Sequence, residues 1–181
     1  MGLMGLFGRS RHERAGFKLY GEAVRAAREP VWFTELGVAD HLDGRFDLVG
    51  LFAALLIHRL GALPAPGAAL AQAVFDAMFA DMDFNLRELG VGDMGIARRV
   101  RDMWEAFHGR ALAYQAPLEQ GDANGLAAAL ARNVWRGNAP AGAADRLATA
   151  ALREYAHLAG FSAGAWAGGE VAFLPAAEVL A

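Results

Sequence analysis

Apolar residues recur every three or four positions along most of this chain, and no strand-like alternation persists, so the pattern predicts helices throughout. A first helix is expected over 13–28, with Phe17, Tyr20 and Val24 on one face. Arg25 and Arg28 fall at its C-terminal end, where cations suit the helix dipole. Pro30 breaks it. The aromatic run Val31-Trp32-Phe33-Thr34-Glu35-Leu36 reads as one helical turn stopped by Gly37, and Asp40-His41-Leu42-Asp43-Gly44 as a loop with capping chemistry. A second helix over 45–60 carries Phe46, Val49, Leu51, Phe52, Leu55, Leu56 and Leu60 around most of its circumference, the mark of a buried helix.

After the turn Ala62-Leu63-Pro64-Ala65-Pro66-Gly67, a third helix is expected over 69–89, with Phe75, Phe79, Met82, Leu86 and Leu89 as one stripe and Gly90 closing it. Asp93 is placed to cap a fourth helix that runs to Ala116, before Pro117. A fifth covers 122–134 and a sixth 142–158. The last 20 residues, rich in glycine, read as a tail or a short strand-like arm. No repeat or long linker appears. The expected architecture is one all-α domain, a compact bundle of about six helices over 13–160, with loose tails at 1–12 and 161–181.

The 181 residues suffice for a real core, since roughly 70% of the unfolded chain's surface is buried at this size. Cysteine is absent, which excludes a disulfide framework, a thiolate zinc site and a cysteine nucleophile. The net charge of −3 and a pI near 5.9 argue against general or sequence-specific nucleic-acid binding. Hydrophobic content of 55% and a mean hydropathy of +0.22 are high for a soluble chain and direct attention to exposed apolar surface. Nevertheless, no stretch approaches the roughly 18 apolar residues of a membrane span. At the N-terminus, Leu3, Met4, Leu6 and Phe7 followed by Arg9 and Arg11 are too short for a signal peptide. They read either as an interfacial foot, apolar residues dipping into lipid and arginines meeting anionic headgroups, or as an unstructured start.

Catalytic patterns are sparse. Asp81-Met82-Asp83, with Asp76 one turn earlier, invites a Mg²⁺–diphosphate reading, but residues two apart on a helix point about 200° away from each other. They cannot converge on one ion, and no second aspartate-rich helix accompanies them, so no metal is expected. The five histidines include no i, i+3 or i, i+4 pair; a haem or quinone pocket would have to recruit His58 or His108 from separate helices, with Met82 nearby. Neither Ser10 nor Ser162 sits in a nucleophile turn. Gly90-Val91-Gly92-Asp93-Met94-Gly95 lies between helices rather than after a strand, so it reads as a helix corner and not a phosphate loop. Arg98, Arg99 and Arg101, with Arg87 one turn before the corner, either bind phosphates or form a solvated face answered by Asp93, Asp102 and Glu105.

Several segments, read in order, resemble the ubiquinol–cytochrome c chaperone family. They are Gly44-Arg45-Phe46-Asp47, Leu60, the stretch from Ala71 to Phe79, Asp81-Met82-Asp83, and the run from Leu86 to Asp93. Phe107-His108-Gly109-Arg110, Tyr114 and Arg132-Asn133-Val134-Trp135-Arg136-Gly137 complete the set, which spans about residues 20–140. The resemblance departs at Phe52, where many relatives have histidine, and at Trp32 and Trp135, where tyrosine is commoner. It implies a non-catalytic helical assembly factor that needs no cofactor and binds newly made cytochrome b while ubiquinol–cytochrome c reductase is built. The mitochondrial relative works near the ribosomal exit with a small partner protein, and both become expected partners here. Without a targeting sequence, the implied setting is a bacterial cytoplasm, peripheral to the inner membrane. The expected mode is an apolar groove between helices. Arg45, Asp81, Asp83, Arg87, Asp93, Arg98 and Arg99 are candidates for bracing helix corners or steering a partner. A helical haem, quinone or isoprenoid-diphosphate protein is the alternative.

Overall fold

The computed structural model describes residues 3–88 and 92–181, with side chains from residue 11 onward except those of 93 and 94. The described residues form helical segments and no strand: α1 (Leu3–Ala27), α2 (Val31–Thr34), α3 (Leu42–Gly61), α4 (Gly67–Glu88), α5 (Asp93–Gln120), α6 (Ala123–Val134), α7 (Ala143–Leu158), α8 (Ala163–Gly168) and α9 (Ala176–Val179). The six long ones correspond to the six read from the apolar spacing.

Helix α3 is the hub. It packs against α1, α4, α5, α6 and α7, and Leu48, Leu51, Leu55, Leu56 and Leu60 are all buried, as an all-round apolar helix requires. The N-cap is His41, whose Nδ1 accepts the Gly44 N–H at 3.4 Å. Helix α1 crosses α4 at very short range: a Cβ on Gly16 would stand 2.6 Å from the Cβ and main chain of Ala73. Its inward face is therefore made of small residues, Ala15, Ala23, Ala26 and Ala27, around Leu19 and Tyr20. Phe17, expected inside, is 56% exposed, because a bulky ring there would hold the two helices apart.

Helix α5 runs past Pro117 for another turn and stops at Gly121, which takes a left-handed φ of +67° and donates its N–H to Pro117 O. The proline deletes only its own N–H, and buried Leu118 anchors the last turn. The N-cap of α5 is Gly92, not Asp93, which is the first helical residue. Asp122 caps α6 by accepting the Gly125 N–H at 3.0 Å.

The C-terminal segment, expected as a loose tail, is docked on the bundle. Trp166, Val171, Phe173, Ala176 and Val179 are buried, with α8 and α9 flanking an extended stretch. The many glycines of 160–169 shape the turns that bring those five side chains back to the core, rather than loosening them. Among the described residues no helix is long and apolar enough to cross a membrane.

Candidate functional site

A cleft of about 670 Å³ opens between the C-terminal end of α3, the first half of α4 and the middle of α5. Ile57, His58, Ala71, Phe75, Trp104 and His108 line it, and Gln72, Gln115 and Glu119 lie along its polar side. Phe75 in its wall is backed by two further rings, 4.6 Å from Phe79 and 5.9 Å from Phe107, centroid to centroid. At the lip, Trp104 and His108 are one turn apart on α5 and stack in parallel, 5.2 Å between centroids and 2° between planes. Trp104 is 43% exposed, and Leu112, a further turn along α5 and outside the cleft lining, is 66% exposed. A large aromatic side chain left in water at the mouth of an apolar cleft marks a candidate binding surface.

His58 holds the two sides of this cleft together. Its Nε2 lies 2.8 Å from Ala111 O, and because a carbonyl only accepts, the proton belongs on Nε2. Burial pushes its pKa down, which favours the neutral ring. A histidine spent on a main-chain carbonyl is a brace between α3 and α5.

A second feature lies at the opposite end of α3. Asp47 is 2% exposed and receives two guanidiniums: Arg110 Nη1 from α5, 2.6 Å from Oδ1, and Arg136 Nη1 from the turn after α6, 2.5 Å from Oδ2. The Arg136 contact is a hydrogen bond, whereas the Arg110 contact is an ion pair without hydrogen-bond geometry. Burial pushes the Asp47 carboxyl up, and the two arginines pull against it without fully offsetting it. Arg136 adopts a left-handed φ of +55°, a conformation non-glycine residues seldom hold unless their surroundings impose it. Tyr114, one turn from Arg110, is buried beside this centre, and burial raises its phenol to about 12. A smaller cleft of about 360 Å³, lined by His41, Asp43, Asp47, Trp135, Arg136 and Asn138 among others, opens onto it.

The residues singled out from the sequence do not gather at one place. Asp81 accepts a 2.7 Å hydrogen bond from the Tyr20 hydroxyl, tying α4 to α1, and burial followed by that bond raises the Tyr20 pKa. Asp83 pairs with Arg87 at 2.7 Å on the exposed side of α4. The two aspartates diverge, as their spacing requires. Arg45 makes an exposed pair with Asp40 at 2.6 Å, and Arg98 and Arg99 are exposed at the start of α5. Arg11 is exposed on α1, while the side chains of Leu3, Met4, Leu6, Phe7, Arg9 and Asp93 lie outside the described residues. Among the described residues no three His, Asp or Glu side chains gather as a metal site would need.

Asp47, Arg110 and Arg136 each lie within a longer motif, and nothing in the sequence pairs them. The available signal was a carboxylate in the apolar interior of α3, beyond its first turn, which must find a cation to be buried there. For the cleft, the signal was the Trp104–His108 pair at one-turn spacing on a helix otherwise rich in charge.

No curated protein matches the chain. The crystal structure of the Cbp3 homolog from Brucella abortus superposes on it with a TM-score of 0.84 and 32% sequence identity, covering 98% of this chain and 99% of that one. The family model described as ubiquinol-cytochrome C chaperone matches residues 34–173, a span that takes in the hub helix, the cleft, the Asp47 centre and the docked C-terminal stretch as far as Phe173. With its helical body, its aromatic-lipped cleft and three motif segments converging on one buried carboxylate, the chain belongs to the ubiquinol-cytochrome C chaperone family.

Proposed function

We propose that this protein is a non-catalytic chaperone for assembly of ubiquinol–cytochrome c reductase, and that it shelters an apolar segment of newly made cytochrome b in the cleft between α3, α4 and α5. The observation that carries this reading is the cleft itself, with Trp104 left in water at its lip on a family member. Covering an apolar side chain of that size yields roughly 1.5–3 kcal/mol. Two or three such contacts therefore give several kcal/mol before the ordering cost of the client is subtracted. That is a holding interaction, strong enough to keep an unfinished membrane subunit out of water and weak enough to release it.

The charged candidates lie outside the cleft lining and fall into two groups. Tyr20–Asp81 and the Asp47 centre brace the helices that form its walls. Arg45, Arg98 and Arg99 are exposed and suit steering of a partner, the ribosome exit region and a small partner protein being the ones the family suggests. We place the protein at the cytoplasmic face of the inner membrane, with residues 3–11 as the candidate lipid contact. The isoprenoid alternative loses its basis, because Asp81 and Asp83 point to different partners.

Deleting the gene tests the reading. Assembled reductase should fall while cytochrome b message stays constant, and unchanged reductase would refute it. Titrating haem into the purified protein separates the remaining alternative: a Soret shift abolished by His58→Ala would favour a haem carrier over a client cleft.

A further inference from the structure

Between α8 and the end of the chain, the main chain is gripped by side chains of other helices. His157 Nε2 lies 3.2 Å from Ala172 O, and Arg25 donates to Phe173 O at 3.0 Å. Glu154 accepts the Leu174 N–H at 3.2 Å, and Glu29 accepts the Ala176 N–H at 2.9 Å. Arg153 donates to Val179 O at 3.0 Å. All five bonds reach main-chain atoms, so this grip is indifferent to sequence. Selection comes only from the inward side chains, Val171, Phe173, Ala176 and Val179, which alternate with exposed Ala172, Pro175 and Ala177. Phe173 packs edge-on against Phe52 of the hub helix, 5.0 Å between centroids.

Main-chain hydrogen bonds for affinity with apolar pockets at intervals for selectivity is the way extended peptides are held by their receptors. Here charged side chains from α1, the turn that follows it and α7 supply those bonds, a task that secondary structure usually performs for itself. Gly168 and Gly169 precede the stretch, and Gly169, with a φ of +65°, turns the chain close against α1, where a Cβ would stand 2.9 Å from that of Lys18. Its docking sets four apolar anchors against the ordering of roughly ten residues, opposing terms of similar size, the balance under which a terminal segment can open without the rest of the bundle.

We propose that the groove between α1 and α7 is a binding site for an extended apolar segment of an unfolded polypeptide, and that residues 170–179 occupy it in the resting chain and are displaced by that segment. The inference takes its client from the chaperone reading; the groove and its occupant stand without it.

The probe is a fluorescent synthetic peptide with the sequence of residues 169–181, followed by anisotropy against the full-length chain. Phe173→Asp frees the strap and leaves every groove residue intact. This variant should bind the peptide at least tenfold more tightly than the wild-type chain does, and a peptide carrying the same substitution should not bind. Adding Glu154→Ala to the variant should weaken peptide binding several-fold. If Phe173→Asp loses its helical circular dichroism, Val179→Asp, which frees only the end of the strap, replaces it. Equal affinity of variant and wild type overturns the proposal, as does unfolding of both variants, which would make the strap part of the core. Pairing of the variant with another copy of the chain instead of the peptide would assign the groove to self-association and overturn the choice of occupant. No cytochrome b is present, so failure here is distinct from failure of the assembly reading.

Discussion

Asp47→Ala removes the single carboxylate that holds α3, α5 and the turn after α6 together. The variant leaves two cations without a partner, and they are not equivalent: the Arg136 side chain is 49% exposed and turns to water, whereas that of Arg110 is 18% exposed and cannot fully do so. Deleting one member of a buried pair costs about 3–5 kcal/mol, most of it the penalty of the charge left behind. With only Arg110 well buried, the low end applies, about 3 kcal/mol. In a domain of this size each kcal/mol moves Tm by about 2–4 °C, so the melt should fall by roughly 6–12 °C. Urea unfolding at pH 7, followed by far-ultraviolet circular dichroism, reads the free energy directly. Arg110→Ala should come next, since Asp47 keeps its bond to Arg136. Arg136→Ala should cost least, about 1 kcal/mol, because its guanidinium is half in water. Replacing the pair together, Asp47→Ala with Arg110→Met, should recover part of the loss. A change below about 1 kcal/mol for Asp47→Ala, or a larger cost for Arg136→Ala, would refute the reasoning that burial decides the size of the effect.

Glu154 is buried among Arg25, Glu29 and Glu178, and burial raises its pKa to about 7 from an ordinary 4.5. The folded chain therefore binds a proton that the unfolded chain releases, and this contribution is complete below pH 4.5 and lost as pH rises through 7. Glu154→Gln should be more stable than the wild type at pH 8, by at most about 3 kcal/mol, and should flatten urea midpoints between pH 5 and 8; equal pH slopes would contradict it. Gly16→Val places a branched side chain where even a Cβ meets Ala73 at 2.6 Å, so a loss of about 3 kcal/mol or more is expected in the same unfolding assay. Tyr20→Phe removes the hydroxyl from half-buried Asp81, and a loss of about 0.5–1.5 kcal/mol is expected; a double-mutant cycle with Asp81→Ala should recover a coupling of that size.

The bundle was legible because its helices are long and their apolar spacing regular, and because Pro30, Gly61 and Gly137 mark real ends. Helix α3 shows this best: an apolar circumference can only be the centre of the molecule. Bulk is a poor guide to the inward face of α1, because the packing distance to α4 selects alanine and glycine. Pro117 reads as a stop in sequence, yet a proline near a helix end removes little when Gly121 supplies the cap. Long-range partnerships were the least legible. Asp47 and Arg136 are 89 residues apart, and Glu29 and Ala176 are 147 apart. Nothing local to either sequence position names the other, so the docked C-terminal strap could not be read from composition. The cleft stands between these cases: its lip follows from one-turn spacing on α5, but its depth depends on how α3, α4 and α5 meet.

A photo-crosslinking amino acid placed at position 104 in living cells, at the cleft lip, examines the central claim with the least inference. Irradiation followed by isolation of membranes should yield an adduct between this chain and cytochrome b that accumulates when reductase assembly is blocked, and a probe at exposed Ala141 should yield none. Absence of cytochrome b from the adducts at 104, with the protein folded and expressed, would contradict the account.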